Sequence, residues 1–164
     1  MTHLSHIQTK ILDPKTLDMR LRMWRFKGEK IVFTNGCFDL IHQGHIDYLS
    51  KAADMGTHLI VGVNADESVK RLGKGSSRPL QDENSRALII AALHFITAVV
   101  IFTEDTPLQL IQLVQPDVLV KGADWKPESI VGFDIVKAKG GEIKTIDYLA
   151  GFSTTAIEER IRKG

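Results

Sequence analysis

The chain has 164 residues, 43% of them hydrophobic and 25% charged, the balance of one ordinary globular domain with room for a full core. Lys and Arg number 21 against 20 Asp and Glu, a formal net charge of +1, which excludes the strongly basic balance of a domain held on nucleic acid but leaves room for a local cationic pocket. Cys37 is the single cysteine, which excludes an intrachain disulfide and a cysteine-based zinc cluster. No apolar run approaches the roughly 18 residues that cross a bilayer. Residues 1–10 lack the apolar stretch of a signal peptide. A cytoplasmic protein with no membrane partner is the expectation.

Taken in chain order, residues 1–12 read as a loose arm, and residues 1–29 as an arm plus helix ahead of the main domain, 30–164. Asp13-Pro14 gives an N-cap followed by proline at the first helical position, Leu17, Leu21 and Trp24 recur at helical spacing, and Gly28 is a stop. Trp24 is expected to pack that helix on the sheet or on a second subunit. Lys30–Thr34 reads as a buried strand ending in the Asn35-Gly36 turn signal. A helix from about Gly44 to Met55, a strand His58–Val63 and a short helix Asp66–Arg71 follow. Past a Gly/Ser loop around Lys74–Pro79, Asp82 caps a helix that reaches about His94. The remainder reads as strand Ala98–Phe102, helix Thr106–Val114, strand Asp117–Val120, a mostly helical Ile130–Lys139, strand Glu142–Ile146 and a closing helix Ser153–Arg162.

Short apolar strands separated by helices imply right-handed βαβ units and a parallel sheet covered on both faces. The fold class is therefore α/β, a doubly wound parallel five-stranded sheet. In such sheets ligands bind beyond the carboxyl ends of the strands, where the strand order reverses. The loops after the first, second, fourth and fifth strands are the places to look.

The first of these, Thr34–His45, follows a strand and opens a helix, so its glycines and free N–H groups can approach an anion closely. His42 and His45, three apart and flanking Gly44, can both face a ligand at the helix N-terminus and donate to phosphate oxygens as charge builds on a phosphorus under attack. Such a pair alone also fits two surface histidines or half of a metal site. A zinc site wants further ligands, and Asp39 is the only nearby candidate. Near the C-terminus, Gly151-Phe152-Ser153-Thr154-Thr155 opens the last helix and again sets hydroxyls and N–H groups where phosphates can sit. The bland reading is an N-cap at Ser153 or Thr155, the latter forming a capping box with Glu158.

Gly36-x-Phe38-Asp39-Leu40-x-His42-x-Gly44-His45 resembles the signature of the nucleotidyltransferase superfamily that contains the cytidylyltransferases and pantetheine-phosphate adenylyltransferase, and Ser153-Thr154-Thr155 resembles its second element. The resemblance implies a Rossmann-like fold and transfer of a nucleotidyl group from an NTP to a phosphate with release of pyrophosphate. Lys74–Pro79 with Arg86, the run Val120–Glu128, Asn64-Ala65-Asp66 and Thr103–Pro107 resemble more narrowly the adenylyltransferase domain of the bifunctional heptose kinase/adenylyltransferases. That implies ATP and D-glycero-D-manno-heptose 1-phosphate as substrates and an ADP-heptose, for lipopolysaccharide core or a related glycan, as product.

On this reading His42, His45 and Lys121 are catalytic. Asn35, Gly36, Cys37, Phe38, Asp39, Gly44, Asn64, Arg86, Gly122, Ser153, Thr154 and Thr155 bind the nucleotide, and Lys74, Arg78, Asp124 and Trp125 serve the sugar phosphate or a phosphate-binding loop. No protein metal site is expected, since Mg²⁺ would ride on the substrate phosphates. The kinase half is not in this sequence, so a separate sugar kinase is expected to supply the substrate, and the family suggests a homodimer. Cytidylyltransferases typically carry an arginine a few residues before the Ser-Thr-Thr run. Here Tyr148-Leu149-Ala150-Gly151 offers none, which disfavours the competing reading of a cytidylyltransferase for a small alcohol phosphate such as glycerol 3-phosphate. A non-catalytic nucleotide-binding module, the third reading, has no need of the histidine pair.

Overall fold

In the computed structural model, which describes residues 2–73 and 78–164, the five apolar runs become β1 (Ile31–Gly36), β2 (His58–Asn64), β3 (Ala98–Phe102), β4 (Val118–Gly122) and β5 (Glu142–Ile146). All pair in parallel, in the order β3-β2-β1-β4-β5. The chain moves outward from β1 through β2 to β3, then crosses back to lay β4 on the other side of β1. The strand order therefore reverses between β1 and β4, and a crevice opens beyond their carboxyl ends.

Successive strand residues point to opposite faces, and each face has its own helices. Ile31 and Phe33 of β1 join one buried cluster with Leu17, Leu21 and Trp24 of α2 (Pro14–Phe26), Leu110, Ile111 and Val114 of α6 (Leu108–Val114) and Val136 of α7 (Phe133–Ala138). Val32 joins the opposite cluster with Tyr48, Leu49 and Ala52 of α3 (Gln43–Ala53) and with Ala87, Ile90 and Ala91 of α5 (Glu83–Ala92). The caps expected from sequence form. Asp13 accepts from the Thr16 N–H at 2.9 Å, and Asp82 accepts from the Asn84 and Ser85 N–H groups at 3.0 Å. α4 spans Asp66–Arg71 and α8 spans Thr154–Lys163.

Two readings are corrected. The first residues are no loose arm. His3–Gln8 form a helix, α1, and the chain after it lies along the edge strand β3. The Leu12 N–H donates to the Val99 carbonyl and the Val99 N–H to the Lys10 carbonyl, each at 2.8 Å. Leu12 itself is buried in the same core as α2. The segment expected to be helical over Ile130–Lys139 is preceded by a 3₁₀ turn at Pro127–Ser129 and is helical only from Phe133, because Gly132 turns left-handed at φ +90° and separates the two.

Candidate active site

The crevice at the strand-order reversal is a cleft of about 970 Å³. Its floor is the loop after β1 and the end of β4. Its walls come from the loops after β2, β3 and β5 and from the start of α8. Asn35, Gly36, Cys37, Phe38, Asp39, His42, Gly44, His45, Asn64, Arg78, Lys121, Gly122, Asp124, Trp125, Ser153, Thr154 and Thr155 all line it. The fold thus gathers into one cleft nearly every residue singled out from the sequence.

His42 is the N-cap of α3 and His45 lies in its first turn. Their rings stack, with centroids 3.9 Å apart and planes inclined by 27°. Gly44 makes the close pairing feasible, since a Cβ there would sit 3.1 Å from the His42 ring and 3.2 Å from the Cβ of Phe152. Phe38 approaches His45 edge-on at 5.5 Å, from a left-handed backbone at φ +51° that costs a bulky residue about 1–2 kcal/mol. Burial lowers the His42 pKa below its ordinary value. Burial, then the neighbouring His42, pushes His45 down to about 4 against an opposing contribution from the Leu40 carbonyl. Both imidazoles are therefore neutral at pH 7. Among the described residues neither Nδ1 atom, though buried, has a hydrogen-bond partner. Unsatisfied buried polar atoms at the positive end of a helix mark a place that an anionic ligand completes. Opposite them, Lys121 at the end of β4 donates to the side-chain oxygen of Asn35 at the end of β1, bridging the reversal point.

Other residues are in the cleft for a different reason than expected. Asp39 is buried, and its carboxylate accepts from Leu80 N–H and Gln81 N–H at 2.9 Å and from Arg78 at 3.1 Å. Burial pushes its pKa up, but these donors outweigh it and hold the carboxyl below its usual range. Asp39 is thereby engaged in fixing the loop. Arg78, with only 14% of its side chain exposed, also pairs with Glu158 of α8 at 2.9 Å. The capping box imagined for Thr155 and Glu158 does not form. Ser153 caps α8 instead, accepting from the Ala156 N–H at 3.0 Å. Asn64 donates to Ser68 at 3.0 Å and is buried.

Arg86 departs furthest from its expected place. Its side chain has no exposed surface. It lies behind the cleft, donating to the Cys37 carbonyl at 2.6 Å, the Gln81 carbonyl at 3.0 Å and the Asp66 carboxylate at 2.7 Å. It holds the cleft loops in place instead of meeting a nucleotide. Lys74 lies outside the described residues.

Sequence reasoning passed over Tyr148, Phe152, Tyr48 and the Asp105-Thr106-Pro107 turn as lining residues. The turn carries only a resemblance in the sequence, and the aromatics carry no periodic or spacing signal. Among the described residues no group of three or more His, Cys, Asp and Glu is placed to hold a metal, and no helix is long and apolar enough to cross a membrane.

A sequence profile described as cytidylyltransferase-like matches residues 33–160, beginning in β1 and ending in α8. The chain belongs to the cytidylyltransferase-like family. By that membership it is an enzyme of the nucleotidyltransferase class. It is 53% identical over 148 residues to the bifunctional protein HldE of Rhodopseudomonas palustris (strain HaA2), a match spanning 90% of this chain and 30% of that protein. It is 50% identical over 159 residues to the bifunctional protein HldE of Syntrophotalea carbinolica, spanning 97% of this chain and 32% of that one. The chain thus spans about three tenths of the length of these curated relatives.

Among solved structures, the lipopolysaccharide core biosynthesis protein of Thermoplasma volcanium GSS1 superposes with a TM-score of 0.60 at 27% identity, covering 74% of this chain and 98% of that one. Pantoate-beta-alanine ligase of Francisella tularensis superposes with a TM-score of 0.61 at 16% identity, over 93% of this chain and 76% of that one, a likeness of fold alone.

Proposed function

We propose that the chain joins AMP from ATP to D-glycero-D-manno-heptose 1-phosphate, releasing pyrophosphate and giving an ADP-heptose for a lipopolysaccharide core or related glycan. The observation that carries nucleotidyl transfer is the stacked His42/His45 pair, neutral and with unsatisfied Nδ1 atoms, at the N-terminus of α3. The heptose assignment is supported by the motif runs 74–79 and 120–128 and by roughly half-identity to the HldE proteins. It is further supported by the likeness to a protein described as acting in lipopolysaccharide core biosynthesis.

An oxygen of the sugar phosphate attacks the α-phosphorus of ATP in line. The new P–O bond forms as the bond to the pyrophosphate oxygen breaks. Little covalent chemistry is asked of the protein, so its contribution is positioning and electrostatic stabilisation. His42 and His45 donate to the α-phosphate oxygens as negative charge accumulates there. Lys121, steered by Asn35, neutralises phosphate from the β4 side. The N–H groups that open α8 and the Thr154 and Thr155 hydroxyls receive the departing pyrophosphate.

The donor set of the cleft fits Mg²⁺ only as an ion shared with substrate: imidazoles and a lysine are suited to phosphate, Asp39 is filled by its three donors, and Asp105 is paired with Arg71. Asp124, which accepts from the Tyr148 hydroxyl and has its other oxygen left over, is the lining carboxylate that would share the ion with the triphosphate. When bound, Mg²⁺ supplies charge neutralisation on the phosphate oxygens.

Pyrophosphate release with each NTP against a panel of sugar and alcohol phosphates tests the reading. Turnover is expected with ATP and heptose 1-phosphate. Turnover with CTP and glycerol 3-phosphate in its place would overturn the assignment, and nucleotide binding without any turnover would favour a non-catalytic module.

A further inference from the structure

Tyr148 follows β5 in the loop that leads to α8, and its ring lies across the end of β4. A methyl group on the Gly122 Cα would sit 2.0 Å from the Tyr148 hydroxyl oxygen and 2.2 Å from its Cζ. No side chain tolerates that approach, so Gly122 and Tyr148 form a matched pair: the space a side chain would fill at the end of β4 is filled by the tyrosine. Tyr48 steadies the ring from α3, with centroids 6.3 Å apart and planes inclined by 29°, and is itself bonded to Thr34 at 2.8 Å. Even so, Tyr148 is 59% exposed. Burial, then the Asp124 carboxylate to which its hydroxyl is hydrogen-bonded, raises its pKa, so at neutral pH the hydroxyl keeps its proton and Asp124 fixes the tilt of the ring. An aromatic ring held from one side and open to a cleft on the other is a platform for a planar ligand.

Its place in the cleft says which ligand. If the triphosphate lies between His42/His45 and the start of α8, the group attached to it extends over the β4 and β5 ends, where Gly122, Asp124 and Tyr148 stand. The acceptor then comes from the β2 and β3 side, past Asn64 and Thr106, which exchanges the sides expected from the sequence for Asn64 and for Asp124. We propose that Tyr148, seated over Gly122, is a specificity-determining residue that selects the nucleoside of the donor by stacking on it. The inference rests on the nucleotidyl-transfer reading but not on the identity of the acceptor.

Calorimetric titration with ATP and with CTP, without acceptor, tests it on the wild type, Tyr148→Phe, Tyr148→Ala, Gly122→Ala and the Gly122→Ala/Tyr148→Ala double variant. Loss of one stacked base should weaken ATP binding about tenfold in Tyr148→Ala and narrow the ATP-over-CTP preference, with Tyr148→Phe retaining most of the affinity. In turnover, KM for ATP should rise by a similar factor while kcat stays within about threefold, because a contact remote from the reacting phosphorus acts on binding. Gly122→Ala should reproduce the Tyr148→Ala effect by displacing the ring and add nothing in the double variant. Equal weakening of ATP and CTP, a rise in the acceptor's KM in place of ATP's, or additive effects of the two substitutions would each overturn the proposal. Failure of the wild type to bind either nucleotide would overturn nucleotidyl transfer and this inference together. Binding without turnover on heptose 1-phosphate would sink only the acceptor assignment, leaving the Tyr148 titrations to support or overturn the inference by the same criteria.

Discussion

Two stacked imidazoles make an unusual donor pair, because each can be protonated only at the expense of the other. At neutral pH both are uncharged, and each has one N–H to give and one nitrogen to accept with. On the proposed nucleotidyl-transfer reading, their contribution is largest when a developing negative charge draws a hydrogen bond, which is a transition-state interaction. His42→Ala and His45→Ala are each expected to lower kcat at least about 100-fold with little change in ATP affinity, read by steady-state kinetics beside titration. A second consequence concerns stability. His45 titrates at about 4 in the folded chain against about 6.5 when unfolded, so below pH 6.5 the unfolded state binds a proton that the folded state refuses. Stability should be undiminished above pH 6.5, fall as pH drops from 6.5 towards 4, and lose nothing further from this group below that. Allowing for solvent access to part of the ring, the loss is on the order of 1–2 kcal/mol. Urea denaturation at pH 7.5 and pH 4.5 should show that decline in the wild type and a smaller one in His45→Asn.

The elements around the cleft are tied by groups whose partners lie far away in the chain. Arg86, on α5, holds the loop after β1 through Cys37, the start of α4 through Asp66, and the turn at Gln81. Arg86→Met would keep much of the volume but leave two part-buried carbonyls and a partly solvated carboxylate without their donor. A loss of about 2–4 kcal/mol is expected, seen as a lowered denaturation midpoint, with Arg86→Lys recovering only part because an ammonium cannot span three acceptors in a plane. An unchanged midpoint in Arg86→Met would show that the loops hold themselves. This role was not legible in the sequence. The resemblance assigns Arg86 to the nucleotide, and nothing local reveals that its partners include a carbonyl 49 positions away. The strands and most helices were legible because each is specified by its own residues: the run Ile31–Phe33, the cap at Asp82, the left-handed glycine stop at Gly28. The histidine pair, Lys121 and the Ser-Thr-Thr run were legible for the same reason, since each sits where a strand ends or a helix begins. Tyr148 was not. Its meaning lies in a contact with Gly122, and neither residue carries a pattern of its own.

For the molecule as a whole, the sheet has two open edges, and they are treated differently. β5 is flanked by α7 and carries Glu142 and Lys144, paired at 2.8 Å, charges that discourage a further strand. β3 reads Ala-Val-Val-Ile-Phe, an apolar run without a charge, the kind of edge that pairs with another chain when uncovered. The covering is the N-terminal segment. Lys10 and Leu12 exchange hydrogen bonds with Val99 on either side of it, Ile11 bridges to the same residue, and the Lys10 ammonium donates to the Leu93 carbonyl at 3.2 Å. Two bridging hydrogen bonds and one buried leucine leave no periodic trace, which is why the segment reads as a loose arm. Removing residues 2–12 should leave the sheet and the cleft formed, since α2 still packs Leu17, Leu21 and Trp24 against it. It should lower stability by about 2–4 kcal/mol for the loss of Leu12 and its hydrogen bonds, and convert a chain of one defined size into one that self-associates with concentration. Light scattering behind size-exclusion chromatography reads the second effect. Lys or Glu placed at Val99, in the middle of the exposed edge, would also disturb the core, so the cleaner control is Ile101→Lys in the truncated chain. Ile101 is the half-buried position of β3, and a charge there should restore the original size without restoring the lost stability. A truncated chain that keeps its size at all concentrations would show that β3 needs no cover, and that the N-terminal segment serves packing alone.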